Sequence, residues 1–331
     1  MKELTMDTFN KWHRQLPTLL VAALLTACGG GGGGGDNSAP PVLTPPVTNP
    51  PATSCVVSPT GQPGATGDTA IDGFNWFNYR RADIGLTMLT CNEFLNKAAV
   101  AHSNYLRLNN TVSHDEVSGN PGFFGATVKN RIENAGYVLG SEYAYGEVIS
   151  AVSDRAGFTH AEELIAAIYH RFVIFEPMFR EMGTGASSNG NGYTYFTSDM
   201  ATRSLSAGLG LGKAVVYPRD GQTAVPTSFD SDTESPDPVP NQNTVGYPVS
   251  VHSDITASAG GIKVTSFTIR PRGGLQMVTR LLTHANDTHT SEQSAAIIPL
   301  STLSANTTYD VSFSGTVDGV PVTKNWSFTT K

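Results

Sequence analysis

Apolar positions recur at helical spacing in four stretches of this chain, and at alternate positions in several shorter ones. Phe74, Trp76, Phe77 and Tyr79, with Leu86 beyond, predict a helix from Ile71 to Asp83. Phe94, Leu95, Ala98, Ala101, Tyr105 and Leu108 predict a second from Cys91 to Asn109, and a shorter one from Ala126 to Ala135 ends at Gly136. Leu164, Ile165, Ile168 and Phe172 predict a fourth from His160 to Phe172, before Pro177. Tyr193 and Tyr195 alternate as in a strand, and the apolar run after Leu205 also reads as one. A different composition begins at Tyr217. An acidic, proline-rich stretch from Phe229 to Pro240 leads into short alternating runs, Tyr309/Val311/Phe313, Val320/Val322 and Trp326/Phe328, with Asp318-Gly319 as a hairpin turn.

The N-terminal pattern is of another kind. Lys2, Lys11 and Arg14 precede the apolar run Leu19 to Leu25, which is too short to span a bilayer and has the form of a secretory signal. Leu25-Thr26-Ala27-Cys28 resembles a bacterial lipobox, which implies cleavage before Cys28 and an acyl anchor in a lipid bilayer. Gly29 after that cysteine resembles lipoproteins sent to an outer membrane. Glycines 29 to 35 and the proline-rich stretch 39 to 51 then form a spacer that cannot bury a core. With Cys28 acylated, Cys55 and Cys91 are the one remaining pair for a disulfide in an exported protein. The bridge would contribute roughly 3–4 kcal/mol by the chain-entropy model.

Composition narrows the classes. The chain has 331 residues, enough for two globular domains, and a net charge of −7 with no basic stripe, which argues against a nucleic-acid partner. The boundaries expected are a signal over residues 1–27, a linker over 28–68, a first domain over 69–212 and a second over 213–331. Gly208 to Lys213 fails as a phosphate loop because Ala214 stands where Ser or Thr is needed. The acidic run Asp230, Asp232, Glu234 and Asp237 lacks the spacing of a calcium loop and reads as a solvated linker.

Three polar positions stand out: His170 at the end of the fourth predicted helix, His114 in a polar loop, and Glu147 opening the apolar run Val148-Ile149. A structural reading is open for each, as a cap or a satisfied core group, and His102 in mid-helix is read as structural. Their order, helix-Ser113-His114, Gly146-Glu147-x-Ile149, then Ala161-Glu162-Glu163 through His170-Arg171 to Gly183-x-Gly185, resembles the CAP superfamily of cysteine-rich secretory proteins, antigen 5 and pathogenesis-related proteins. The resemblance runs from about Ile71 to Arg203. It implies an α+β protein whose first domain is an α-β-α sandwich, with His114, Glu147 and His170 on the floor of a cleft. No motif match supplies the family's second glutamate; Glu163 and Glu176 are the nearest substitutes. Leu303 with Tyr309 resembles the tyrosine corner of immunoglobulin- or fibronectin-like sandwiches, so the second domain is expected to be all-β.

Three functions follow. The resemblance implies a non-enzymatic module that takes a lipid, sterol or peptide in its cleft. Alternatively, His114, His170 and Glu147 could hold zinc or another divalent metal and activate water for hydrolysis, or the cluster could be structural alone. A lipid cleft should expose apolar side chains, whereas a hydrolytic one should hold its polar groups open to water.

Overall fold

The computed structural model describes residues 61–205, 208–255 and 260–331, together with the backbone of Leu4–Thr5. Apart from Leu4–Thr5 the signal lies outside these residues, as do Cys28, Cys55 and the linker before residue 61. The first unit holds helices α1 (Thr69–Asp83), α2 (Glu93–Asn109), α3 (Val128–Ala135), α4 (Gly157–Ala166) and α5 (Ile168–Ile174). Its strands are β1 (Leu4–Thr5), β2 (Thr90–Cys91), β3 (Ala144–Val152), β4 (Glu181–Ser188) and β5 (Thr194–Thr202), in the order β1-β3-β5-β4-β2. The long central strands β3, β5 and β4 run antiparallel.

Local signals explain the helix starts. Asp68 accepts the Ile71 N–H, Asn92 accepts those of Phe94 and Leu95, and Thr127 closes a capping box with Asn130. Gly136 ends α3 at φ 110°, a conformation that costs glycine nothing.

Alternation along the strands sorts side chains into two layers. Gly146 on β3 faces Val173 of α5, and Phe196 on β5 lies against Gly73 of α1. On the opposite face Ser103 of α2 donates to Thr197 of β5, and a side chain at Gly183 or Gly185 would collide with the α2 backbone. The sheet therefore lies between α1, α4 and α5 on one face and α2 and α3 on the other, an α-β-α sandwich.

Two expectations need correction here. The helix predicted from His160 to Phe172 is two helices, because Ala167 is extended at φ −68° and ψ 117°. The amide donors freed at the break go to the Glu234 carboxylate, so a distant side chain stabilises the interruption. The run after Leu205 is not a strand among the described residues. Its Leu209 and Gly210 N–H groups bond to Asp254, and Gly210 and Gly212 have positive φ.

The second unit is all-β. One sheet orders β12 (Thr279–Thr283), β13 (Ser294–Pro299), β10 (Val249–His252) and β6 (Val215–Tyr217). The other orders β11 (Ile262–Pro271), β14 (Thr308–Val317), β15 (Val320–Thr330) and β7 (Gln222–Val225). A small ribbon pairs β8 (Ser228–Asp230) with β9 (Thr244–Gly246). Asp318 and Gly319 turn β14 into β15 at φ 52° and 79°, the geometry their dipeptide predicts. The buried Tyr309 hydroxyl accepts the Ser304 N–H at 2.7 Å.

The two units share a continuous apolar core, in which the Phe175 ring of the first meets the rings of Tyr217 and His252 of the second. The stretch read as a solvated linker is partly buried: Ser231 and Glu234 are enclosed, and Phe229 and Val239 pack in a second apolar cluster with Ile168 and Phe172. Its acidic composition hid one carboxylate that points inward.

Candidate functional site

On the α2/α3 face of the sheet lies a buried polar cluster. Glu147 projects from β3 toward α3, where Arg131 Nη2 donates to both carboxylate oxygens at 2.9 and 2.8 Å. His114 Nδ1 meets Glu147 Oε1 at 2.8 Å. His102, from the middle of α2, sets Nδ1 against Glu116 Oε1 at 2.8 Å and Nε2 against the Ser113 carbonyl at 2.9 Å. Glu116 Oε2 accepts the N–H groups of Phe124 and Gly125, so this pair ties the His114 loop to α2 at both ends.

Both of His102's partners are acceptors: a carbonyl, and a carboxylate whose other oxygen already takes two N–H donors. Each ring nitrogen therefore faces an oxygen acceptor. Burial alone would raise the Glu147 acid, but Arg131, His102 and the His114 hydrogen bond hold it well below the usual carboxylate range. Asp199, opposite Glu147 in register on β5, is pushed the other way, by burial and then by the Glu147 charge. The cluster thus places a carboxylate and a buried acid side by side around a buried guanidinium.

Of the sequence-predicted residues, the structure brings His114 and Glu147 together. His170 does not join them. It starts on α5, which packs on the Gly146 face of β3, whereas Glu147 is one residue along and projects to the other face. His170 Nδ1 instead meets Glu234 Oε1 at 2.9 Å. The candidate substitutes for a second glutamate also lie apart from the cluster: Glu163 reaches Ser150, and Glu176 sits between the two units. Cys91, the described half of the expected disulfide, accepts a hydrogen bond from Asn96 at 3.3 Å; Cys55 lies outside the described residues.

Sequence reasoning missed His102, Glu116, Arg131 and Asp199 as members of the cluster. His102 carried a signal, a histidine in an apolar helix face, but nothing local named its partner 14 residues away.

The donor set does not suit a divalent metal. The Arg131 cation takes both oxygens of Glu147, so an ion there would face like-charge repulsion worth several kcal/mol. Among the described residues no group of three His, Cys, Asp or Glu side chains is placed to hold a metal. Only His114 of the pair with Glu147 reaches solvent, its side chain 25% exposed against 1% for Glu147. The loop that carries it turns apolar side chains outward: Val112, Val117 and Phe123 are exposed, as is Leu108 before it. Tyr105 anchors this loop through its hydroxyl to Val117 and Asn120.

A three-layer α-β-α domain with a His–Glu pair beneath a polar loop, joined to an all-β unit, is the class these features define. Residues 74–200 match the model of the cysteine-rich secretory protein family, CAP, and this part of the chain is a CAP domain. Solved structures with similar folds include an extracellular SCP-domain protein from Bacillus anthracis str. Ames, at 20% identity over 40% of this chain with a TM-score of 0.34. The match spans 39% of that protein's length. An outer surface protein from Borrelia burgdorferi matches at 16% identity, covering 40% of this chain and 90% of its own, with a TM-score of 0.33. Venom allergen-like protein 4 from Schistosoma mansoni matches at 12%, covering 42% and 89%, with a TM-score of 0.29. No curated protein matches the sequence.

Proposed function

We propose that this is an exported, envelope-anchored CAP-domain lipoprotein that holds an apolar partner and performs no hydrolysis. One observation carries the reading: the polar groups of the cluster other than His114 are closed to water, while Val112, Val117 and Phe123 on the same loop are open to it. A hydrolytic site needs the reverse, a base and an electrophile reachable by substrate and water. The partner meets the loop's apolar side chains, and the lipobox cysteine holds the chain near a lipid surface. Among the described residues no helix is long and apolar enough to cross a membrane, so the reading assigns anchorage to acylated Cys28.

Three measurements test it. Cys28→Ser should move the protein from the membrane fraction to the soluble one, and the soluble form should still co-sediment weakly with phospholipid vesicles. Val117→Asp with Phe123→Asp should abolish that residual binding; undiminished binding would sink the apolar-loop reading. Zinc titrated calorimetrically into the soluble form should give no micromolar binding at pH 7.5. Tight binding lost in His114→Ala would establish a metal site and overturn the non-enzymatic conclusion.

A further inference from the structure

The segment through α5 and into the following loop presents three polar side chains to the second unit, and each is received differently. His170 meets Glu234. Arg171 is fully buried between the rings of Tyr217 and Tyr247, 4.9 Å from each centroid, and donates to the Pro248 carbonyl at 2.7 Å. Glu176, 2% exposed, accepts the Met178 N–H from its own unit at 3.0 Å and the Ile255 N–H from the other at 3.4 Å.

His170 has a carboxylate partner and Arg171 a carbonyl and two ring faces, whereas Glu176 has no hydrogen-bonded cation among the described residues. The nearest cation is Arg81 of α1, but its guanidinium hydrogen-bonds to the carbonyls of Thr87, Ile174 and Glu176 itself, and its Nη2 finds no hydrogen-bond partner among the described residues. From the second unit the facing group is Asp254, at the exit of β10, whose two oxygens accept the N–H groups of Leu209 and Gly210. Arg180 lies beyond Arg81, and His252 on β10 is kept neutral by burial and by Arg171 and Arg81. A buried carboxyl with no hydrogen-bonded cation, beside a second carboxylate, is stable in its neutral form.

We propose that Glu176 is a proton-held latch between the two units: as a neutral acid it sits within the interface, and loss of its proton loosens the docking of the second unit on α5. Burial, and then the Asp254 charge among the smaller effects, pushes the Glu176 acid up to about 8. The sign follows from that direction. A raised acid binds its proton more tightly when docked, so the docked state is favoured fully below the ordinary carboxylate range and loses this advantage as pH rises toward 8. The device goes beyond the apolar-partner reading and stands whether or not the His114 loop binds anything.

Amide hydrogen exchange on the whole chain from about pH 5 to 9, corrected for the intrinsic pH dependence of exchange, tests it. Protection around Ile255, Leu209 and Gly210 should fall by up to about tenfold per pH unit between the ordinary carboxylate range and about pH 8, as release of one proton on undocking requires, and level off above it. Protection in the β14–β15 hairpin should stay level, and Glu176→Gln should remove the pH dependence at Ile255. Level protection at Ile255 in the unsubstituted chain overturns the proposal, as does an unchanged slope in Glu176→Gln. Should the glutamine variant fail to fold, the contrast between Ile255 and the hairpin in the unsubstituted chain still decides.

Discussion

Replacing Arg131 by methionine is expected to lower the stability of the protein by about 3–5 kcal/mol at pH 7, the cost of leaving a buried carboxylate without its cation. Arg131 is fully buried, and one of its nitrogens serves both oxygens of Glu147. Methionine fills much of the volume but donates nothing. The loss should depend on pH in a stated direction. With Arg131 present, Glu147 is held well below the usual range, so its contribution exists at neutral pH and fades as pH falls through and below that range. The deficit of Arg131→Met should therefore be largest near neutrality and shrink below about pH 4, where Glu147 can be protonated in both states. Urea denaturation at pH 7 and pH 4 measures both quantities. Adding Glu147→Gln to Arg131→Met should restore part of the stability, since the charge is then removed with its partner. A loss under about 1 kcal/mol at pH 7 would mean that the cluster is hydrated and not the closed network described above.

The second large effect is expected at Glu234. Its carboxylate receives four donors from the first unit: the N–H groups of Ile168, Tyr169 and His170 at 2.8, 2.7 and 3.1 Å, and the His170 ring at 2.9 Å. Glu234→Ala leaves three backbone donors exposed to a nearly dry interface, which should cost about 3 kcal/mol or more. For a chain with this much ordered structure that corresponds to a fall in Tm of roughly 6–12 °C. His170→Ala should cost clearly less, because the three amide bonds to Glu234 survive it. Differential scanning calorimetry of the two variants ranks them. If His170→Ala costs as much as Glu234→Ala, the histidine ring and not the helix break is what Glu234 serves.

The two variants expose why the site was only half legible in the sequence. His114 and Glu147 were recognisable because each sits in a short motif whose neighbours are local: Ser113 before the histidine, and Gly146 and Ile149 around the glutamate. His170 was recognisable by the same means, from His170-Arg171 through to Gly183-x-Gly185. Its destination was not, because that depends on which face of β3 supports α5, and Gly146 and Glu147 differ by one residue in a period of two. Arg131 and Glu116 carried no local signal at all. An arginine in a short polar helix looks solvated until the helix is laid on a sheet with a carboxylate beneath it.

What the sequence by itself determined was the set of elements and their punctuation. The helices near Phe74, Leu95 and Ile132, the Asp318-Gly319 hairpin, the glycine stop after α3 and the change of composition before the second unit all arise from periodicity, caps and turn residues within a few positions of each other. Tertiary structure alone decided the break at Ala167, the inward turn of Glu234 and the separation of His170 from His114. Each depends on groups more than 50 residues apart, and a buried charge is satisfied by whatever partner the packing delivers, whatever its place in the chain.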